Sequence, residues 1–87
     1  MKIVGRKTLS DAEASPLAKR RLALWVIQVA EARWTTEDQI KADHVGVEII
    51  KIPRFVFNLT GQGFGIQVEA LIALTQGVVF IDRIVEI

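Results

Sequence analysis

The sequence predicts an α+β domain in which two or three helices pack on one face of an antiparallel β-sheet. Three observations carry that prediction. Apolar residues Leu22, Trp25, Val26 and Val29 recur at helical spacing in the first half. Phe64, Ile66, Val68, Ala70, Ile72 and Leu74 alternate strictly in the second half, as a strand with one buried face requires. The helical runs precede the strand runs, with short turn signals between them, which is the order of two stacked layers.

The elements follow in chain order. "MKIVG" is a short strand, suited to a sheet edge, and "KTLSDAEAS" is compatible with a helix. Ser15-Pro16 starts the long helix: Ser caps the free N–H groups, and Pro at the first helical position has no N–H to lose. This helix is expected to run to about Arg33. Leu17, Leu24 and Ile27 fall off its core stripe, so the apolar arc is too wide for a helix touching only one sheet. A second contact is implied, and these three residues are the candidate partner-binding set. "TTEDQIKAD" opens with a capping Thr and first-turn acids, and forms a short helix ended by "HVG". Strands are expected over 47–52, 54–60, 63–74 and 78–86.

Turn geometry then sets the expected registers. If Gly61-Gln62 forms a type II′ turn, Leu59 faces Phe64, Phe57 faces Ile66, and Phe55 faces Val68, all on one apolar face. Arg54 then meets Glu69 across the strands on the opposite face. A Gln76-Gly77 turn likewise puts Leu71 opposite Asp82, with Glu69 diagonal to Asp82. The second face is therefore expected to carry Arg54, Asn58, Gln67, Glu69, Asp82 and Glu86.

Composition narrows the function. With 87 residues, half of them apolar, the chain is one domain over 1–87, large enough for a core and too apolar for disorder. It has no cysteine, so disulfides and cysteine-based zinc sites are ruled out. No leader or membrane-spanning run is visible, and the cytoplasm is the expected compartment. Net charge is only +1, but residues 1–34 hold seven basic and three acidic side chains, against four and seven in 35–87. The sheet half is thus the acidic half, the reverse of what phosphate contacts through a sheet require.

No motif announces a reaction. "GQGFG" lacks the helix that nucleotide fingerprints place after their glycines, and reads as a hairpin turn. His44 is the only histidine, in a helix-to-strand loop beside Asp43, with no nucleophile pattern around it. One histidine among scattered carboxylates gives no metal spacing, and neither a metal nor a cofactor is expected. Glu69 and Asp82 are the nearest approach to a carboxylate pair.

"LALWVIQVAEARWTTEDQIK" followed by "RFVFNLTGQG" resembles the HigB group of RelE-like toxins from bacterial type II toxin–antitoxin systems. The resemblance rests on Lys7-Thr8-Leu9, on Trp25, Val29, Ala32 and Trp34, and on Thr36, Ile40 and Lys41. It continues through Arg54, Val56, Phe57, Asn58 and Gly61 to "GVVFI" at Gly77–Ile81, and so covers nearly the whole chain. It implies a RelE-like sheet with packed helices, ribosome-dependent mRNA cleavage, and neutralisation by a helix-turn-helix antitoxin. The RNA-contacting candidates it implies are Arg6, Lys7, Arg54 and Asn58.

The chemistry departs from that pattern. Family members carry a basic residue just after the hairpin turn, where this chain has "GFG", and another late in the last strand, where it has Asp82-Arg83. They continue into a tail that assists cleavage, and this chain stops at Ile87, where that tail would begin. The expectation is a toxin-fold protein whose catalytic surface is degenerate, and which binds an antitoxin, a second copy of itself, or the ribosome. Two alternatives stand beside it: an active endoribonuclease using Arg54, Arg83 and His44, and an unrelated α+β interaction module.

Overall fold

A computed structural model describes residues 1–87. Local signals start its helices. Ser15 accepts a hydrogen bond from the Ala18 N–H and opens helix α2 (Pro16–Glu31) with Pro16 at its first position. Thr36 and Gln39 form a reciprocal capping box at the start of α3 (Glu37–Asp43). A shorter helix, α1 (Arg6–Asp11), follows strand β1 (Lys2–Val4). Strands β2 (Val47–Lys51), β3 (Arg54–Gly61), β4 (Phe64–Ala73) and β5 (Val78–Glu86) complete the chain.

The five strands form one sheet in the order β1-β5-β4-β3-β2. The fold is α+β, as expected, but the sheet is mixed. β2 to β5 run as an antiparallel meander, whereas β1 pairs with β5 in parallel, Ile3 opposite Val79. A parallel neighbour needs a long crossover, and the three helices together with the meander supply it. No helix is long and apolar enough to cross a membrane.

The expected β3–β4 register is off by two residues. Gly61 pairs with Phe64, so the turn is Gln62-Gly63, and Gly63 takes the left-handed conformation at φ 85°. Glycine therefore occupies the second turn position instead of the first. Gly61 stays in the ladder, where a β-carbon would run into the ring of Phe64. Phe57 faces Val68 and Leu59 faces Ile66. An even shift keeps every side chain on its predicted face.

The β4–β5 register differs more. Ala73 pairs with Val78 across a four-residue connection, and Leu71 faces Phe80, not Asp82. Ile81 lies opposite Ala70 and Arg83 opposite Glu69, so Asp82 is the extra residue of a β-bulge. Beyond the bulge the alternation changes phase. Ile84 now meets Val68, and Glu86 meets Ile66, on the helix side. Glu86 was expected on the other face. It instead accepts hydrogen bonds from the Ser15 backbone N–H at 3.3 Å and from Ser15 Oγ at 2.9 Å, tying the end of β5 to the start of α2.

The core lies between the sheet and the helices. Leu22, Trp25 and Val29 of α2 and Ile40 of α3 are buried with Phe55, Phe57, Leu59, Ile66, Val68, Val79 and Ile81. Val26 and Phe64 pack at its margin and are half-buried. α2 packs against β1, β3 and β4, and α1 against β5. The opposite sheet face carries no helix.

Candidate functional site

The bare sheet face is organised by one cation. Arg54, at the start of β3, donates from Nη1 to Asp82 Oδ2 at 3.0 Å and to Glu69 Oε2 at 3.5 Å. Glu69 reaches it from one strand away, diagonally, because it pairs with Val56. Asp82 reaches it because the bulge inserts an additional side chain on this face. Further along, Gln67 donates from Nε2 to Asn58 Oδ1 at 3.1 Å, and Asn58 Nδ2 donates to the Gly46 carbonyl at 2.8 Å. Towards β1 the face becomes apolar: Leu71 pairs with Phe80, and Phe80, 44% exposed, pairs with Val4.

Arg54, Asn58 and Arg83 thus share one face. Arg83 is exposed and outside any ion pair, since both of the chain's salt bridges belong to Arg54. Gly65, where the resemblance expects a cation, leaves open space: a β-carbon there would meet only Ile87, at 3.9 Å. Arg6 and Lys7 lie elsewhere, exposed on α1, which packs along β5.

His44 stands on the helix side of the sheet. It caps α3, its N–H donating to the Ile40 carbonyl at 2.9 Å. Its ring meets Phe57 and Trp34 edge-on, at centroid distances of 5.2 and 5.5 Å. Burial pushes its pKa below the ordinary 6.5, against the opposing pull of the Asp43 carboxylate and with help from the Arg21 guanidinium. The imidazole is therefore neutral near pH 7. Trp34 Nε1 donates to Asp43 Oδ2 at 2.8 Å, which holds that carboxylate beside the ring. Arg21, Gln28, Asp43 and His44 line a cavity of about 210 Å³, and both Arg21 Nη1 and His44 Nε2 are buried without a hydrogen-bond partner.

RNA cleavage through 2′-hydroxyl attack needs a cation at the developing phosphorane charge and a group that moves protons beside it. Here the cations of the bare face are separated from the histidine, and the cation beside His44 is Arg21, in the cavity on the helix side. His44 packs against Phe57, on the core face, while Arg54 and Arg83 project from the opposite face. Arg54 is also already engaged by two carboxylates. No cluster of three or more His, Cys, Asp or Glu side chains is placed to hold a metal ion.

The Arg54 cluster was visible in the sequence as a set of residues sharing a face. The surroundings of His44 were not, because they join Arg21, Trp34 and Phe57 from three distant segments. The Ser15–Glu86 contact carries no sequence signal at all, since it depends on the bulge. No protein-family model and no curated protein matches this chain.

Proposed function

We propose that this chain is a HigB-like, RelE-superfamily toxin-fold protein whose bare sheet face has lost ribonuclease chemistry and which acts by binding. A helix-turn-helix antitoxin is its expected partner, with weak ribosome contact and a cytoplasmic location. The α+β architecture, with three helices on one face of a five-stranded sheet, is compatible with that family. The observation that carries the loss of chemistry is Arg54, held between Glu69 and Asp82. A cation held by two carboxylates attracts phosphate less than a free one, and with Arg83 opposite Glu69 the two arginines and two carboxylates of this face leave no net positive charge to draw RNA in. The alternative of an active enzyme using Arg54, Arg83 and His44 is disfavoured because His44 lies on the other side of the sheet.

The test is expression of the 87-residue chain in bacteria, with mRNA ends mapped in the presence and absence of ribosomes. Normal growth and no new ends are expected. Growth arrest with ribosome-dependent cuts, both abolished by Arg54→Ala, would refute the proposal. Gly65→Arg combined with Asp82→Arg should raise RNA or ribosome affinity and steepen its salt dependence. Gly65 has room for the side chain, and Asp82 is exposed.

A further inference from the structure

α2 buries one side and leaves the opposite one uncovered. Ala18, Leu22, Trp25 and Val29 face the sheet, while Leu17, Leu24 and Ile27 are 54%, 48% and 55% exposed. At 3.6 residues per turn, Arg20, Leu24, Ile27 and Glu31 fall within a stripe about 60° wide on that outer side. With Leu17 they are spaced by alternating threes and fours, the spacing of a helix–helix seam. Arg20 and Glu31 are exposed, and neither has an ion partner within the chain. Glu31 is moreover the last residue of the helix, where a carboxylate opposes the helix dipole. Its position favours neither the helix nor the core.

We propose that α2 packs antiparallel against α2 of a second copy of this chain, about a twofold axis passing between Trp25 and Val26. This alignment sets Leu24 against Ile27 of the partner subunit and Arg20 against Glu31 of the partner subunit. The symmetry repeats each pair. Exposed Ala23 and Ala30 flank the seam and are small enough to let the two helices approach closely. Other alignments match worse. Moving one helix by two turns pairs Leu17 with Ile27 of the partner subunit, but it sets Leu24 against Arg20 of the partner subunit and carries Glu31 past the helix start at Pro16, where no helical residue faces it. A parallel pairing places like charges together. Self-complementarity of both the apolar and the charged positions is what selects a second copy over an unrelated protein. A single seam about 24 Å long is a small interface, so the dimer should dissociate at roughly micromolar concentrations. The inference stands apart from the toxin-fold reading, because the seam lies on α2 and the proposed loss of cleavage concerns the sheet.

Sedimentation velocity on the full chain, over roughly 1–500 µM and at low and high salt, measures it. A monomer–dimer equilibrium that weakens with salt is expected. Arg20→Glu should weaken it by at least about tenfold, since it creates two like-charge contacts across the axis, and Glu31→Arg should do the same. The double variant Arg20→Glu/Glu31→Arg should recover dimerisation. Circular dichroism and urea midpoints establish that these exposed substitutions leave the fold intact. A monomer at every concentration overturns the proposal. So does a dimer indifferent to the single reversals, or one that the double reversal fails to restore; the contact would then lie elsewhere, with the Phe80 strip the next candidate. None of these results bears on RNA cleavage, which the expression assay reads independently.

Discussion

Phe57→Ala removes the side chain at which the two layers of this domain meet. Phe57 is 1% exposed, and its ring lies 5.2 Å from Trp25, 5.2 Å from His44 and 6.3 Å from Trp34. It stands in the middle of β3, between Val47 on one side and Val68 on the other. Truncating a buried phenylalanine costs about 3–5 kcal/mol in transfer and cavity terms. Losing contacts to two tryptophans and an imidazole puts this site in the upper part of that range, at about 4 kcal/mol. A domain of this length has roughly 4–13 kcal/mol in total, so the variant should be close to unfolding at room temperature. Its Tm should fall by roughly 15–30 °C. Urea denaturation followed by the fluorescence of Trp25 and Trp34 reads the change at the site itself. Phe57→Leu, which keeps most of the volume, should cost less than half as much. A loss below about 1 kcal/mol for Phe57→Ala would mean that the ring is not the hub described, and that the assigned sheet face is wrong.

Three further perturbations address the remaining features. His44 has a folded-state pKa below 6.5, so the unfolded chain takes up the proton first; stability is full above about pH 6.5 and falls as pH drops towards the folded pKa. Urea midpoints should show that fall, and His44→Leu should flatten it; an unchanged pH slope in the variant would exclude His44 as the source. Arg54→Leu should cost about 1 kcal/mol, but almost nothing when Glu69→Gln and Asp82→Asn are already present, because these partly exposed ion pairs are the main interaction lost. A double-mutant cycle with no coupling would show that the side chains do not meet in solution. Gly63→Ala should cost about 1 kcal/mol because Gly63 sits at φ 85°; a neutral result would return the turn to Gly61-Gln62.

Helix starts were legible because capping acts over three or four residues: Ser15-Pro16 and Thr36 lie where their neighbours indicate. Face assignments in β3 and β4 were legible because alternation survives any even shift of register. The register itself was not, since Gly61 and Gly63 flank Gln62 symmetrically and either glycine could take the positive φ. The bulge at Asp82 has no mark in the residues around it, and it alone decides that Glu86 faces Ser15. Nor could three residues of β1 show that they join β5 in parallel. The Arg54 cluster emerged even from shifted registers, because long side chains reach diagonal neighbours as readily as direct ones. The polar cavity at His44 stayed hidden because its walls are assembled only when α2 and α3 have docked on β3.

The parallel placement of β1 also sets an order of assembly. Every pairing from β2 to β5 joins neighbours in sequence through short connections, so the meander closes small loops and forms with little entropic cost. Lys2 meets Val78 only by closing a loop that spans nearly the whole chain, which costs roughly 2–3 kcal/mol more than the β4–β5 connection. Such a contact becomes favourable only after α2 has settled on β3 and β4 and brought the first residues within reach. β1 is therefore expected to be the last strand to join and the first to leave. Opening of that edge uncovers the backbone of β5, the strand that carries Asp82 and Arg83, before the rest of the sheet is disturbed.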